Sequence, residues 1–240
     1  MPITGLSHYL IQNPTLTLLL ICHFLSDFQL QSQTVADRKN TDRKYLMIHL
    51  FGVAFPLILV TCFLPNLWMI SLIILVSHAL IDFGKSYASS WLRLSDMLTF
   101  LLDQMLHIAI ILFLVKNNPA VNLIASEQIG QMLNMILFLV LITKPTNVFF
   151  KIFFQKYQPK DNQKMDTIPG AGATIGLLER IVMTICIIFN QFASIGLVFT
   201  AKSIARYNKI SESPTFAEYY LIGSLFSILS VLLAAWICLF

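Results

Sequence analysis

Charge is what this sequence has least of. Only 12% of its 240 residues are Asp, Glu, Lys or Arg, while 57% are hydrophobic. An ordinary soluble domain carries about 25% charged residues. The shortage excludes a disordered chain, and a net charge of +4 is too small to call for a nucleic acid. Cysteine is scarce as well. Cys22, Cys62, Cys186 and Cys238 all lie in apolar runs, with no CxxC pattern and no pairing in loops. That excludes a disulfide-stapled secreted domain and leaves four small buried hydrophobes. The N-terminus lacks the basic stretch and cleavage site of a signal peptide, so none is expected to be removed. There is no internal repeat and no low-complexity tract.

What remains is apolar length, with a mean hydropathy of +0.74. A spanning helix needs about 20 mostly apolar residues. Seven runs qualify, near residues 15–36, 45–64, 66–87, 97–116, 129–150, 173–201 and 215–240. The expected fold is therefore all-α, a polytopic membrane bundle of about seven transmembrane helices. It is expected to divide into a four-helix half, residues 1–120, and a three-helix half, residues 121–240, with 157–171 as the longest polar stretch. Lys and Arg favour the cytoplasmic side. Arg38, Lys39, Arg43 and Lys44, then Lys85 and Arg93, then Lys151, Lys156, Lys160 and Lys164 place alternate connections there. The N-terminus is then outside and the C-terminus cytoplasmic. Lys202, Arg206 and Lys209 break the rule on this count, which signals a special role or a miscounted span.

Ionisable residues inside a span are expensive and mark function by default. Four of the five histidines fall in the first four spans, as His23-x-x-x-Asp27, His49, His78-x-x-x-Asp82 and Asp103-x-x-x-His107. Residues four apart share a helix face. The order reverses in the fourth span, which runs opposite to the first and third, so all three aspartates lie on the cytoplasmic side of their histidines. Inward carboxylates and imidazoles on neighbouring helices are how bundles build metal sites. Seven ligands exceed the need of one tetrahedral zinc and suit one or two divalent ions, Zn first, with Mn or Fe compatible. Gln31 is the expected outer support, because Gln104 turns about 100° away from its neighbour Asp103. Lys85 is expected to snorkel to the interface. His8 is terminal and expected to be uninvolved.

In the back half, Thr167-Ile-Pro-Gly-Ala-Gly-Ala-Thr-Ile-Gly opens the sixth span. A glycine-rich turn at a helix N-terminus offers free N–H groups to an anion. Gly170, Gly172 and Arg180 are therefore candidates to hold a substrate phosphate. The partner of the buried Arg180 is expected to be that anion or Glu218.

The segments His23-Phe-Leu-Ser-Asp27-Phe-Gln-Leu-Gln31, Ala36-Asp-Arg-Lys39, His49, His78-Ala-Leu-Ile-Asp82-Phe-Gly-Lys85 and Asp103-Gln-Met-Leu-His107 resemble a bacterial integral-membrane family known as domain of unknown function 3307. The resemblance covers about residues 15–116. The His/Asp pattern is also similar in style to YdjM-type membrane-bound metal-dependent hydrolases. The leading expectation is a metal-dependent hydrolase of the bacterial inner membrane, with Asp27, Asp82 or Asp103 as ligand or general base, and with Arg180 and the Gly170–Gly172 turn holding the phosphate of a lipid or prenyl substrate. The same constellation suits a divalent-cation or proton transporter, or a non-enzymatic membrane subunit with a structural metal. A transporter needs polar exits to both faces, and the residues beyond the histidines are almost wholly apolar.

Overall fold

Lipid offers no partner for peptide groups, so an apolar run inside it must satisfy its backbone internally, as helix. The protein follows that rule in a computed structural model that describes residues 5–121, 123, 125–159 and 170–240. Lys160 and Lys164 in the fifth connection, and the start of the glycine-rich run at Thr167, lie outside the described residues. Among those described there is no strand. Six helices are long and apolar enough to cross a membrane. They leave large apolar side chains such as Phe51, Phe55 and Leu80 exposed, and Phe63 is 78% exposed. Lipid covers such faces where water would not.

The chain forms two compact units, residues 1–140 with 238–240, and residues 141–237. The division falls inside the fifth span, at the stretch that Lys144-Pro145 interrupts, rather than near residue 120.

In the first unit, α1 (Ser7–Gln12) and α2 (Pro14–Phe24) lead into a π-helical turn, Leu25–Gln29, and a short α3 (Gln33–Arg38). The first apolar run is thus not one helix to residue 36. Three long helices follow: α4 (Arg43–Phe63), α5 (Trp68–Trp91) and α6 (Asp96–Asn117). Ser32, Asp42 and Ser95 cap α3, α4 and α6 by accepting from backbone N–H groups. The helix α5 packs on α4 and α6, α2 packs on α6, and the π turn packs on α4. The unit continues through most of α7 (Glu127–Leu141). A Cβ on Gly130 would sit 2.9 Å from Ile11, so glycine lets α7 approach α1.

The two termini meet in this unit. Ser7 Oγ donates to the Phe240 carbonyl at 2.6 Å. The amide of buried Asn134 donates to the carbonyls of Ser7 and Cys238, at 3.0 and 3.2 Å. The N-terminal helix and the last residues of the chain are therefore in direct contact.

The second unit shows where the count went astray. After α8 (Lys144–Phe154), the run expected at 173–201 is two helices, α9 (Ala171–Ile188) and α10 (Phe192–Ala205), joined at Asn190, whose φ is 56°. Lys202 Nζ meets Glu179 at 2.9 Å, and the two stand at matching distances either side of that turn. The helices are therefore an antiparallel hairpin, and Lys202, Arg206 and Lys209 return to the side on which α9 begins. At 1.5 Å per residue α10 is about 21 Å long, short of the roughly 30 Å hydrocarbon core. A short α11 (Tyr207–Glu212) precedes α12 (Pro214–Cys238).

Tags fused to the two termini test the arrangement. Both should be labelled by an impermeant reagent from the same side of sealed, oriented vesicles. Labelling from opposite sides would refute it.

Candidate metal centre

Each of the seven expected ligands is set by its helix. His23 ends α2, Asp27 sits in the π turn, His49 is on α4, His78 and Asp82 are on α5, and Asp103 and His107 are on α6. All are buried, with exposures of 1–7%. The ring centroids of His78 and His107 are 4.0 Å apart, those of His23 and His107 5.3 Å, and those of His49 and His78 5.3 Å. The expected cluster is therefore real, and far tighter than a helix diameter of about 10–12 Å.

One part has the dimensions of a coordination shell. His49 Nε2 lies 3.1 Å from His78 Nε2, and Asp82 Oδ2 is 3.0 and 3.4 Å from those two atoms. Asp27 Oδ1 is 3.7 and 3.2 Å from the same nitrogens. A tetrahedral zinc with bonds of about 2.0–2.1 Å has ligand–ligand edges of about 3.3–3.4 Å. A second group, Asp27, Asp103 and His107, also offers three ligand atoms within 4.8 Å of one another, as does His23 with Asp27 and His78. Asp27 is thus common to two neighbouring positions.

The hydrogen bonds show which atoms are held and which are spare. Asp27 Oδ2 accepts from Gln104 Nε2 at 3.0 Å. Asp82 Oδ1 accepts from Lys39 at 3.2 Å, and Asp103 Oδ2 from Lys85 at 2.8 Å. Asp27 and Asp103 are thereby gripped by one oxygen and turn the other inward, whereas Lys39 also reaches Asp82 Oδ2 at 3.4 Å. His107 Nδ1 binds the main-chain oxygen of Asp103 at 2.7 Å, which leaves Nε2 as the ligating atom. Asp27 Oδ1, Asp103 Oδ1 and His107 Nε2 are buried and have no hydrogen-bond partner. Buried polar atoms are nearly always paired, so three orphans from one triad call for an explanation. Two carboxylate oxygens and an imidazole nitrogen are a donor set that fits a divalent cation.

The π turn positions this triad's shared member. Leu30 N donates to Leu25 O at 2.8 Å, one residue farther back than an α-helical bond reaches. The extra residue shifts the chain beyond it by about 100° relative to an unbroken helix. Such turns occur often at functional sites.

Three participants depart from what the sequence led us to expect. Gln104, not Gln31, is the outer support. It joins Asp27 to His23 Nε2, the latter at 3.2 Å, whereas Gln31 Oε1 is buried with no partner. Its 100° offset from Asp103 is what carries it to α2 and the π turn. Lys85 does not snorkel but pairs with Asp103 on the neighbouring helix. Lys39, read only as an orientation signal, reaches both Asp82 and His49 Nε2, the latter at 3.1 Å. The three Asp–Lys and Asp–Gln contacts join residues 43, 18 and 77 apart in sequence, beyond the reach of any helical spacing rule. The expected bystander His8 is exposed and bonds Gln12 at 2.8 Å.

The back-half candidates lie in the second unit. Gly170 has φ 81° at the N-cap of α9, a conformation that favours glycine, and a Cβ on Gly172 would meet nothing within 4 Å. Arg180 is 3% exposed, and its partners are neither Glu218 nor any other carboxylate. Its Nε donates to the Ile142 carbonyl and its Nη2 to Asn147 Oδ1 at 2.7 Å. Pro145 explains this. Proline has no N–H and its ring clashes with the carbonyl four residues back, so α7 breaks and frees carbonyls in lipid. Thr146 Oγ1 takes the Leu141 carbonyl at 2.8 Å, and Arg180 takes the next.

Family comparison coincides with this map. The family model described as Protein of unknown function (DUF3307) matches residues 15–136. The chain belongs to the DUF3307 family. All seven clustered ligands, with Lys39, Lys85 and Gln104, fall inside the matched stretch, and Gly170, Gly172 and Arg180 fall outside it. No curated protein and no solved structure matches the chain.

Arg180→Ala should lower stability by about 1–3 kcal/mol, the range for leaving a buried acceptor unsatisfied. Thermal unfolding of the detergent-solubilised protein reads it. An unchanged midpoint would refute the helix-break role.

Proposed function

We propose that this protein is an integral-membrane metal-dependent hydrolase. It uses one or two divalent transition ions, zinc first, on a membrane-embedded, phosphate-containing substrate at the cytoplasmic side. The observation that carries the reading is the unpartnered triad of Asp27 Oδ1, Asp103 Oδ1 and His107 Nε2 beside a three-residue cage of His49, His78 and Asp82. Three protein ligands with a coordination position left over are the mark of a catalytic site, whereas structural sites are closed by four. A bound divalent ion would polarise the scissile oxygen and bring the pKa of a water to near neutrality.

The chain's own residues divide the remaining work. Gln104 holds Asp27 by its outer oxygen, so the inner oxygen keeps one direction. His107 is fixed in the tautomer that presents Nε2. Burial keeps bulk water from competing for the substrate.

Translocation of an ion is less well supported. One helical turn from the histidines, away from the lysines, the core is Val53, Ile74 and Ile111, all buried and apolar. Basic residues at the lysine-bearing end place it in the cytoplasm, which puts both termini outside.

Elemental analysis of the gently purified full chain should find one or two transition-metal ions per molecule. Asp103→Asn and His107→Ala should lower that number and abolish phosphate release from phosphatidic acid or a prenyl phosphate. Gln104→Leu should weaken metal affinity by about 10–100-fold, the usual effect of losing an outer-shell partner. A wild-type protein with no metal above background would refute the reading. Metal flux into proteoliposomes without phosphate release would assign transport instead.

A further inference from the structure

Two ammonium groups stand on the carboxylate side of the cluster. Lys39 caps the C-terminus of α3, and Lys85 lies in the last third of α5. Their side chains are 7% and 14% exposed, against 1% and 3% for Asp82 and Asp103, so they are the outermost members of their pairs. Lys39 also shares an atom that a metal needs. Its Nζ is 3.1 Å from His49 Nε2, which lies 3.0 Å from Asp82 Oδ2 and 3.1 Å from His78 Nε2. A single imidazole lone pair cannot serve an ammonium and a metal together. A dication in the cage also repels a neighbouring ammonium and takes over the neutralisation of Asp82.

The charge count then points to a ligand. Three aspartates and two lysines leave one net negative charge when the histidines are neutral ligands. Two divalent ions turn that into three positive charges, which burial makes costly unless an anion enters. A neutral ester or amide leaves the excess in place, and a doubly charged phosphate removes most of it.

We propose that Lys39 and Lys85 are the anion-reading pair of this site, released from His49, Asp82 and Asp103 as metal binds, and that the group they read is a phosphate monoester dianion. The inference rests on the metal-centre reading above and assigns anion recognition to the front half rather than to Arg180. By linkage, metal and phosphate each strengthen the other's binding by the same factor.

The test uses the full chain in detergent, stripped of metal or loaded with zinc, with inorganic phosphate as the probe in calorimetry. Zinc-loaded protein should bind phosphate at least about tenfold more tightly than stripped protein. Lys39→Met and Lys85→Met should lose about 10–100-fold in phosphate affinity, the effect of removing one charge-assisted hydrogen bond. They should also hold the full wild-type zinc complement, and Lys39→Met should bind zinc as tightly as wild type or more so. Lys39→Arg and Lys85→Arg, which keep the charge, should retain most of the phosphate affinity. Nanodiscs with phosphatidic acid in place of phosphatidylcholine distinguish the source. Competition with inorganic phosphate assigns a lipid headgroup, and its absence assigns a soluble monoester.

Equal phosphate affinity with and without zinc would overturn the proposal, as would wild-type phosphate affinity in both methionine variants. So would loss of zinc from those variants, which would make the lysines fixed partners of the carboxylates. Absence of zinc from loaded wild-type protein would instead overturn the metal-centre reading itself.

Discussion

Three carboxylates at membrane depth are the constraint on which the first unit depends. An ionised aspartate in hydrocarbon is destabilising by several kcal/mol unless it is paired. Asp27, Asp82 and Asp103 lie on three different segments, so their needs can be met only where those segments touch. The contacts of α2, the π turn, α4, α5 and α6 follow from that requirement. The partners come from outside the cluster, and for Asp27 and Asp103 they engage one oxygen, which leaves the inner oxygen without a hydrogen bond. Elsewhere in the unit a buried polar side chain is used to tie chain segments together, as the Asn134 amide does with the carbonyls of Ser7 and Cys238.

The residues that ligate were legible in the sequence, and the residues that position them were not. Spacing of four residues brings His78 to Asp82 and Asp103 to His107 whatever the tertiary fold, and alternation of spans fixes their common polarity. Lys39, Lys85 and Gln104 act across helices, and a single sequence carries no signal for which helices adjoin. For Lys85 the long stem made snorkelling the default, and only the place of Asp103 on α6 reveals the ion pair. Asn190-Gln191, polar in the middle of an apolar run, was the available sign that residues 173–201 turn back. The rule-breaking Lys202, Arg206 and Lys209 pointed to the same error from the other end. A helix of 14 residues such as α10 falls below the length at which hydropathy identifies a span, so a run of two short helices passes for one long one.

Arg180 illustrates how a membrane changes the meaning of a buried charge. In the sequence it stands near a glycine-rich helix start, an arrangement that suits an anion. The structure supplies a competing demand from Pro145, which sits where a helix in lipid can least spare an N–H. The guanidinium has five donors, and those at Nε and Nη2 are spent on the consequences of that proline. Glu179, its neighbour in sequence, is turned away to Lys202. Arg180, Glu179 and Lys202 thereby answer local needs.

That separation bears on where the chemistry resides. The family match ends at residue 136, inside α7 and before the proline break. It includes every ligand, both lysines that touch the cluster, the glutamine that ties Asp27 to His23, and the π turn that carries Asp27. Whatever the family has in common must be built from those residues. The cluster lies wholly inside this stretch, together with the lysines and the glutamine that touch its carboxylates. The second unit is organised around different problems, a proline-broken helix and an antiparallel hairpin with a buried Glu–Lys pair. The match with the family thus takes in α2 to α6 and the π turn, and α8 to α12 lie beyond it.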